Sequence, residues 1–188
     1  MSWRKAGKWR KFCGRRGDVL RKTNLALLHF FRNFAKTPTL GYHPKTNNMA
    51  TNISTITINA SLQRVWDTVT KPEWVKLWQY GSDLMTTWEI GSDIKFSTAW
   101  EDKVFEQWGK VLAFQPTELV SYSLFAPRPG LEDKPENYFT MSYYLRSQNG
   151  QTKLEIVQED QRPHAVQEAP QGEENPVLKL LKEIAEGG

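Results

Sequence analysis

Residues 51–78 read TNISTITINASLQRVWDTVTKPEWVKLW, and this stretch decides the fold. β-branched residues dominate positions 51–58, with the alternation that is typical of a β-strand. Ser61 is a suitable N-cap for a helix whose apolar residues recur at helical spacing. Thr70 and Glu73 have the spacing of a capping box, which predicts a second helix with Thr70 as its N-cap. The stretch therefore predicts one strand followed directly by two short helices.

The rest of the chain predicts about six further strands and then one helix. Asn149 and Gly150 form a dipeptide that is typical of a tight hairpin between two strands. Asn175 is a good N-cap, Pro176 suits the first helical position, and an apolar stripe follows them. The strand pattern is clearest in residues 94–101, 107–114, 118–125, 138–146 and 153–159. This order predicts an α+β domain with one curved antiparallel sheet and a closing C-terminal helix.

The charges divide the chain into two segments. Residues 1–48 contain 12 Lys or Arg and one acidic residue, whereas residues 49–188 contain 13 Lys or Arg and 20 acidic residues. Residues 37–48 are rich in turn-forming residues, and the strand pattern begins directly after Met49. We therefore predict a basic N-terminal extension over residues 1–48 and a folded domain over residues 49–188.

The basic extension has three interpretations. It has the arginine content and apolar face of a targeting segment, although it contains one serine, Ser2. It also suits a basic amphipathic arm on anionic lipid or nucleic acid. In the third interpretation Met49 is the true start, and residues 1–48 are disordered or absent from the native protein. The abrupt change in composition favours the third.

Composition excludes several classes of function. A single cysteine, Cys13, rules out a disulfide framework and a cysteine-rich zinc site, and the three histidines lack metal-ligand spacing. No apolar run approaches the roughly 20 residues of a transmembrane helix. The excess of acidic residues after Met49 disfavours nucleic acid as a partner of the folded domain. We expect no metal, no cofactor and no catalytic residue.

Several stretches in this order resemble one known family. They are the opening strand with residues 61–70, the sequence Lys-Pro-Glu-Trp at residues 71–74 with Trp78, and residues 89–96, 109–116 and 118–120. Their order resembles the helix-grip fold of the START-like superfamily, also called SRPBCC, to which the birch pollen allergen belongs. Within that superfamily, the chain resembles the bacterial proteins that are homologous to activators of the heat-shock protein 90 ATPase.

The resemblance implies a cavity between the curved sheet and the last helix. Such a cavity implies binding of a small hydrophobic molecule in the cytoplasm, without covalent catalysis. The family name implies an alternative, regulation of the chaperone ATPase by protein contact. A related branch of the superfamily implies a second alternative, an enzyme of the cyclase or hydrolase type. The sequence leaves the oligomeric state open.

Aromatic residues of the folded domain are the candidates for the cavity wall, and ordinary core packing is the alternative. Arg128 lies in a proline-rich loop and is suited either to a ligand carboxylate or to solvent. His164 is expected to be an exposed loop histidine rather than a general base. The predicted lining consists of Trp78, Phe96, Trp100, Trp108, Tyr122, Tyr138, Tyr143, Leu178 and Leu181.

Overall fold

The computed structural model describes residues 49–162 and 165–187, so the predictions for residues 1–48 and for His164 lie outside the described residues. The chain runs from β1 (Ala50–Ile58) through α1 (Leu62–Thr70) and α2 (Pro72–Trp78) into six further strands and a final helix. A single 3-10 turn, Pro135–Asn137, lies between β5 and β6 in the described part. The later elements are β2 (Asp83–Thr86), β3 (Asp93–Trp100), β4 (Lys103–Gln115), β5 (Leu119–Leu124), β6 (Phe139–Gln148), β7 (Gln151–Asp160) and α3 (Pro176–Glu186).

The described residues form one curved antiparallel sheet in the order β1-β7-β6-β5-β4-β3-β2. Each strand from β2 to β6 pairs with the strand that follows it, and β1 closes the order by pairing with β7. Asn149 and Gly150 both have positive φ, at 52° and 77°, and join β6 to β7 as a tight hairpin. The predicted α+β sheet with a closing C-terminal helix is confirmed.

Two of the three predicted helix starts are confirmed, and one is wrong. Ser61 Oγ accepts a hydrogen bond from Arg64 N, and Asn175 Oδ1 accepts from Val177 N at 2.8 Å. Thr70, however, is the last residue of α1, and its hydroxyl donates to the Trp66 carbonyl at 2.7 Å. Lys71 caps α2 instead, without a side-chain hydrogen bond, because the residue before a proline favours an extended backbone.

The edge strand β2 has no counterpart in the strand pattern of the sequence. It contains four residues, and Leu84 is its one buried side chain. A four-residue strand with a single buried position has too little alternation to be recognised from sequence. It pairs with β3 and completes the six strands that follow the two helices, which agrees with the predicted number.

Helix α3 packs against β1 and both earlier helices. Leu181 is fully buried on its inner side. The Arg64 side chain on α1 donates to the carbonyls of Ile184 and Ala185, and so satisfies two groups that a helix end leaves without partners. These contacts fix the closing helix over the face of the sheet.

The free edge of β1 is covered by the segment that leads from β7 to α3. Thr55 N donates to the Gln171 carbonyl, and Gln171 N donates to the Ile53 carbonyl. The Gln167 side chain extends this pairing. Its Oε1 accepts a hydrogen bond from Thr51 N, and its Nε2 donates to the Thr51 carbonyl. Covering an edge in this way blocks pairing with another strand.

Among the described residues, no helix has the length and apolar character needed to cross a membrane.

Candidate ligand-binding site

One face of the sheet, called here the inner face, lies against the helices. In β1 it carries Ile56, which pairs with Leu154 of β7, and Leu154 pairs with Leu145 of β6. All three are at most 3% exposed. Alternation along β6 places Tyr143 on the same face, two residues from Leu145. The strand register therefore shows which of the predicted lining residues lie on the inner face and which lie on the outer face.

Three of the predicted aromatic residues meet on the inner face. The rings of Phe96 and Tyr122 lie 5.7 Å apart, and those of Tyr122 and Tyr143 lie 5.9 Å apart. The two tyrosine hydroxyl oxygens are 3.1 Å apart and share a hydrogen bond. None of the three residues is more than 6% exposed. We call Tyr122 and Tyr143 the tyrosine pair.

The tyrosine pair has one more proton than its own hydrogen bond uses. Each phenol has one O–H donor, and only one of the two protons can lie between the two oxygens. In the described part of the chain, neither hydroxyl has a second hydrogen-bond partner. A buried donor without an acceptor costs about 1–3 kcal/mol. An acceptor oxygen on a bound molecule would remove that cost.

Burial keeps both members of the tyrosine pair protonated. It raises the pKa of Tyr122 well above the usual range of a phenol, and the neighbouring Tyr143 raises it further. Burial also raises the pKa of Tyr143, against a smaller opposing effect of its hydrogen bond with Tyr122. At neutral pH the pair consists of two neutral hydroxyls, which donate hydrogen bonds and do not act as bases.

Two of the predicted lining residues, Trp108 and Tyr138, lie on the outer face. Trp108 pairs with Lys95, which is adjacent to Phe96 and so faces the opposite side of the sheet. The centres of the Trp108 and Phe125 rings lie 5.3 Å apart. Its indole Nε1 donates to Asp133 at 2.9 Å, and the Tyr138 hydroxyl donates to the same carboxylate at 2.7 Å. The structure does not bring these two side chains to the tyrosine pair.

The remaining predicted residues lie towards the helices or the end of β3. Trp78 is buried on α2, and its indole donates to the Thr68 carbonyl at 2.8 Å. Leu178 and Leu181 are buried on α3, and Trp100 is half-buried where β3 ends. The indole of Trp78 is thus already paired within the protein.

The sequence analysis missed two buried polar pairs on the inner face and at its end. The hydroxyls of Ser82 and Thr98 lie 2.5 Å apart, with Thr98 two residues from Phe96 on the inner face. Asp160 and Arg162 form a buried ion pair at the end of β7. The residue types carried no signal, because each pair becomes buried only through the packing of distant strands.

Within residues 49–162 and 165–187, no group of three or more His, Cys, Asp or Glu side chains is placed to hold a metal ion. The site consists of aromatic rings, hydroxyls and one buried ion pair. Its chemistry suits recognition of an organic molecule.

Comparisons with known proteins agree with this architecture. The model of the family described as Activator of Hsp90 ATPase homolog 1-like protein matches residues 59–186. A search of the curated proteins finds no match. Among solved structures, ChR145 from Cytophaga hutchinsonii is 29% identical, with a TM-score of 0.50 over 60% of this chain and 78% of that one.

Two more distant structures share the fold. MLL2253 from Mesorhizobium loti is 18% identical, with a TM-score of 0.53 over 71% of this chain and 95% of that one. Ara h 8.0201 is 11% identical, with a TM-score of 0.56 over 75% of this chain and 100% of that one. The resemblance drawn from the sequence is confirmed. The chain belongs to the Activator of Hsp90 ATPase homolog 1-like family and has the helix-grip fold of the START-like superfamily.

Proposed function

We propose that residues 49–188 bind a small hydrophobic molecule that carries an acceptor oxygen, such as a ketone, ester or acid. The surplus proton of the tyrosine pair is the observation that supports this proposal most directly. A carbonyl oxygen seated at the pair would accept that proton. Phe96 would contribute an apolar wall beside the hydrogen bond.

The same proposal assigns the remaining inner residues to two sides of the ligand. Trp78, Leu178 and Leu181 would cover it from the helices, and Trp100 would lie at the rim, where β3 ends. Ligand pockets of this kind are mostly apolar, with a few polar groups that fix the orientation of the ligand. In the proposed site the tyrosine pair supplies that polar group.

The first prediction concerns Prodan, a neutral naphthyl ketone whose fluorescence reports an apolar site. We expect the full chain to bind it, and we expect the double variant Tyr122→Phe/Tyr143→Phe to bind it about fivefold more weakly, since one neutral hydrogen bond is lost. The double variant removes both hydroxyls and leaves no donor unpaired. Its free energy of unfolding should therefore stay within about 1 kcal/mol of wild type.

The control is Tyr144→Phe, which changes the adjacent, half-buried tyrosine on the outer face. Its affinity for Prodan should match that of wild type. Equal affinity in the double variant and in wild type would show that the tyrosine pair has only a structural role. Absence of Prodan binding to wild type would argue against the binding function itself.

A second candidate is regulation of the Hsp90 ATPase by protein contact, which the family match to residues 59–186 supports. It would place the protein in the cytoplasm with the chaperone. It predicts that the full chain raises the rate of ATP hydrolysis by Hsp90 and that Tyr122→Phe/Tyr143→Phe still does so, because the effect would come from the surface. An unchanged rate at saturating protein would remove this candidate.

The cyclase or hydrolase alternative has less support. A buried polar pair with altered pKa values is present, but the shifts are upward and keep both phenols protonated. In the described part of the chain, the hydrogen-bond partners of the pair include no carboxylate and no imidazole. Proton transfer in catalysis needs such a group within reach. Binding is therefore better supported than catalysis.

A further inference from the structure

We propose that Gln158 determines which ligands the site selects. Its side-chain amide binds a hydroxyl group of the ligand, so the preferred ligand is a carbonyl compound that also carries a hydroxyl. This inference rests on the proposed function and adds a second polar group to the ligand.

Part of the inner face is left uncovered on two interior strands. β6 and β7 each pair with a neighbour on both sides. Their inner-face residues Leu145 and Leu154, which pair with each other, are at most 3% exposed. Further along the same face, Met141, Ile156 and Gln158 are half-buried. Because neighbouring strands flank these three residues on both sides, their exposure indicates space above them. We call Met141, Ile156 and Gln158 the open floor.

The open floor adjoins the tyrosine pair. Ile156 pairs with Tyr143. Met141 pairs with Tyr122 on one side and with Gln158 on the other. Residues that pair across neighbouring strands have their side chains on the same face, and diagonal neighbours lie within reach of a long side chain. Gln158 is the diagonal neighbour of Tyr143 in this register. A molecule above the open floor would therefore contact both the tyrosine pair and Gln158.

The side-chain amide of Gln158 is available to a ligand. Within residues 49–162 and 165–187 this amide forms no hydrogen bond. Its neighbour Asn52, with which it pairs on β1, is engaged instead. Asn52 Nδ2 donates to the Val166 carbonyl at 3.0 Å, and Asn52 Oδ1 accepts from Glu168 N at 2.7 Å. The segment that covers the edge of β1 thus satisfies one of the two amides and leaves the other for a ligand.

The chemistry of the amide indicates a neutral group that both donates and accepts. The Gln158 side chain has a carbonyl oxygen that accepts and an NH₂ group that donates. A hydroxyl matches both, whereas the tyrosine pair requires an acceptor. Asp160, the next inner-face residue of β7, is neutralised by its ion pair with Arg162. No net charge of that pair is left to attract a charged group, so a hydroxyl is the better match.

The spacing of the two polar sites indicates the size of the ligand. Gln158 and Tyr122 lie in one row of the register, with Met141 of β6 between them. Neighbouring strands are about 4.8 Å apart, so the two backbones are separated by about 10 Å. A naphthalene ring system with an acyl group at one end and a hydroxyl at the other spans a comparable distance.

Two ketones that differ by one hydroxyl test the inference. Acetylnaphthalene has no hydroxyl, and the acetylnaphthol whose two groups lie at opposite ends of the ring system adds one. We expect the full chain to bind the acetylnaphthol about fivefold more tightly, as one neutral hydrogen bond requires. In Gln158→Met the two affinities should be about equal, because methionine has a similar shape and no amide. Isothermal titration calorimetry measures both affinities.

The control is Gln148→Met, which changes an exposed glutamine at the end of β6 and should keep the preference for the acetylnaphthol. The midpoint of urea-induced unfolding should be the same for Gln158→Met and wild type, because the substitution removes no hydrogen bond within the described residues.

Equal affinity of wild type for the two ketones would overturn the inference and leave the binding function intact. A preference that persists in Gln158→Met would also overturn it, since the hydroxyl would then bind elsewhere. Failure of wild type to bind either ketone or Prodan would contradict the binding function, and the inference would fail with it.

Discussion

Replacing Gly109 with alanine is expected to destabilise the protein by about 3–5 kcal/mol, since overpacking against backbone forces the chain itself to move. A Cβ at this position would lie 1.9 Å from the Ser123 carbonyl oxygen and 2.6 Å from its carbonyl carbon. Both atoms belong to the backbone of β5, so no side-chain rotation relieves the clash.

The neighbouring hydrogen bonds prevent the two strands from separating. Trp108 N donates to the Phe125 carbonyl at 3.2 Å, and Phe125 N donates to the Trp108 carbonyl at 2.7 Å. Lys110 N donates to Ser123 Oγ at 3.1 Å on the other side of Gly109. Moving Ser123 away from an alanine would break these bonds. It would also disturb the start of the segment that carries Arg128.

Urea-induced unfolding of Gly109→Ala and wild type measures the effect. Gly172→Ala is a matched control, because its Cβ would meet first the movable end of the Glu174 side chain, at 3.1 Å. We expect the control to stay within about 1 kcal/mol of wild type. Equal stability of Gly109→Ala and Gly172→Ala would show that the two strands can separate at this point.

Local signals in the sequence were sufficient for most of the fold. The N-caps Ser61 and Asn175 and the Asn149-Gly150 hairpin each depend on a few neighbouring residues, and the structure has all three. The assignment of Thr70 was wrong because this residue lies at the junction of two helices, where it could end the first or cap the second. Its hydroxyl reaches the Trp66 carbonyl of the first helix, a choice that depends on how far that helix continues.

The candidate site was less predictable, because it depends on strand register. Trp108 and Tyr122 are both aromatic residues of neighbouring strands, and a shift of one residue decides which face each occupies. The contact between Tyr122 and Tyr143 follows from the pairing of β5 with β6 across a long connection. Composition indicated an aromatic interior. It contained no information on which hydroxyls would meet.

Arg162→Met is expected to destabilise the protein by about 3–5 kcal/mol, because it leaves a buried charge without its partner. The Asp160 side chain is 7% exposed and accepts three hydrogen bonds, two from the Arg162 guanidinium and one from the Arg162 backbone N–H. Loss of the contact between the guanidinium and the Phe139 ring adds to the effect.

The double variant Asp160→Asn/Arg162→Met distinguishes the destabilisation caused by a lone buried charge from the net contribution of the ion pair to the free energy of unfolding. The asparagine oxygen can still accept the hydrogen bond from Arg162 N, which is the backbone of residue 162 and survives the substitution. Without a buried charge, most of the stability should return, to within about 1 kcal/mol of wild type.

The exposed Arg146→Met is the control for loss of one arginine and should change the free energy of unfolding by less than about 0.5 kcal/mol. A loss in Arg162→Met no larger than in Arg146→Met would show that water reaches Asp160 in solution. Recovery in the double variant would indicate that the loss in Arg162→Met comes from the lone buried charge of Asp160 and not from loss of a net stabilising pair.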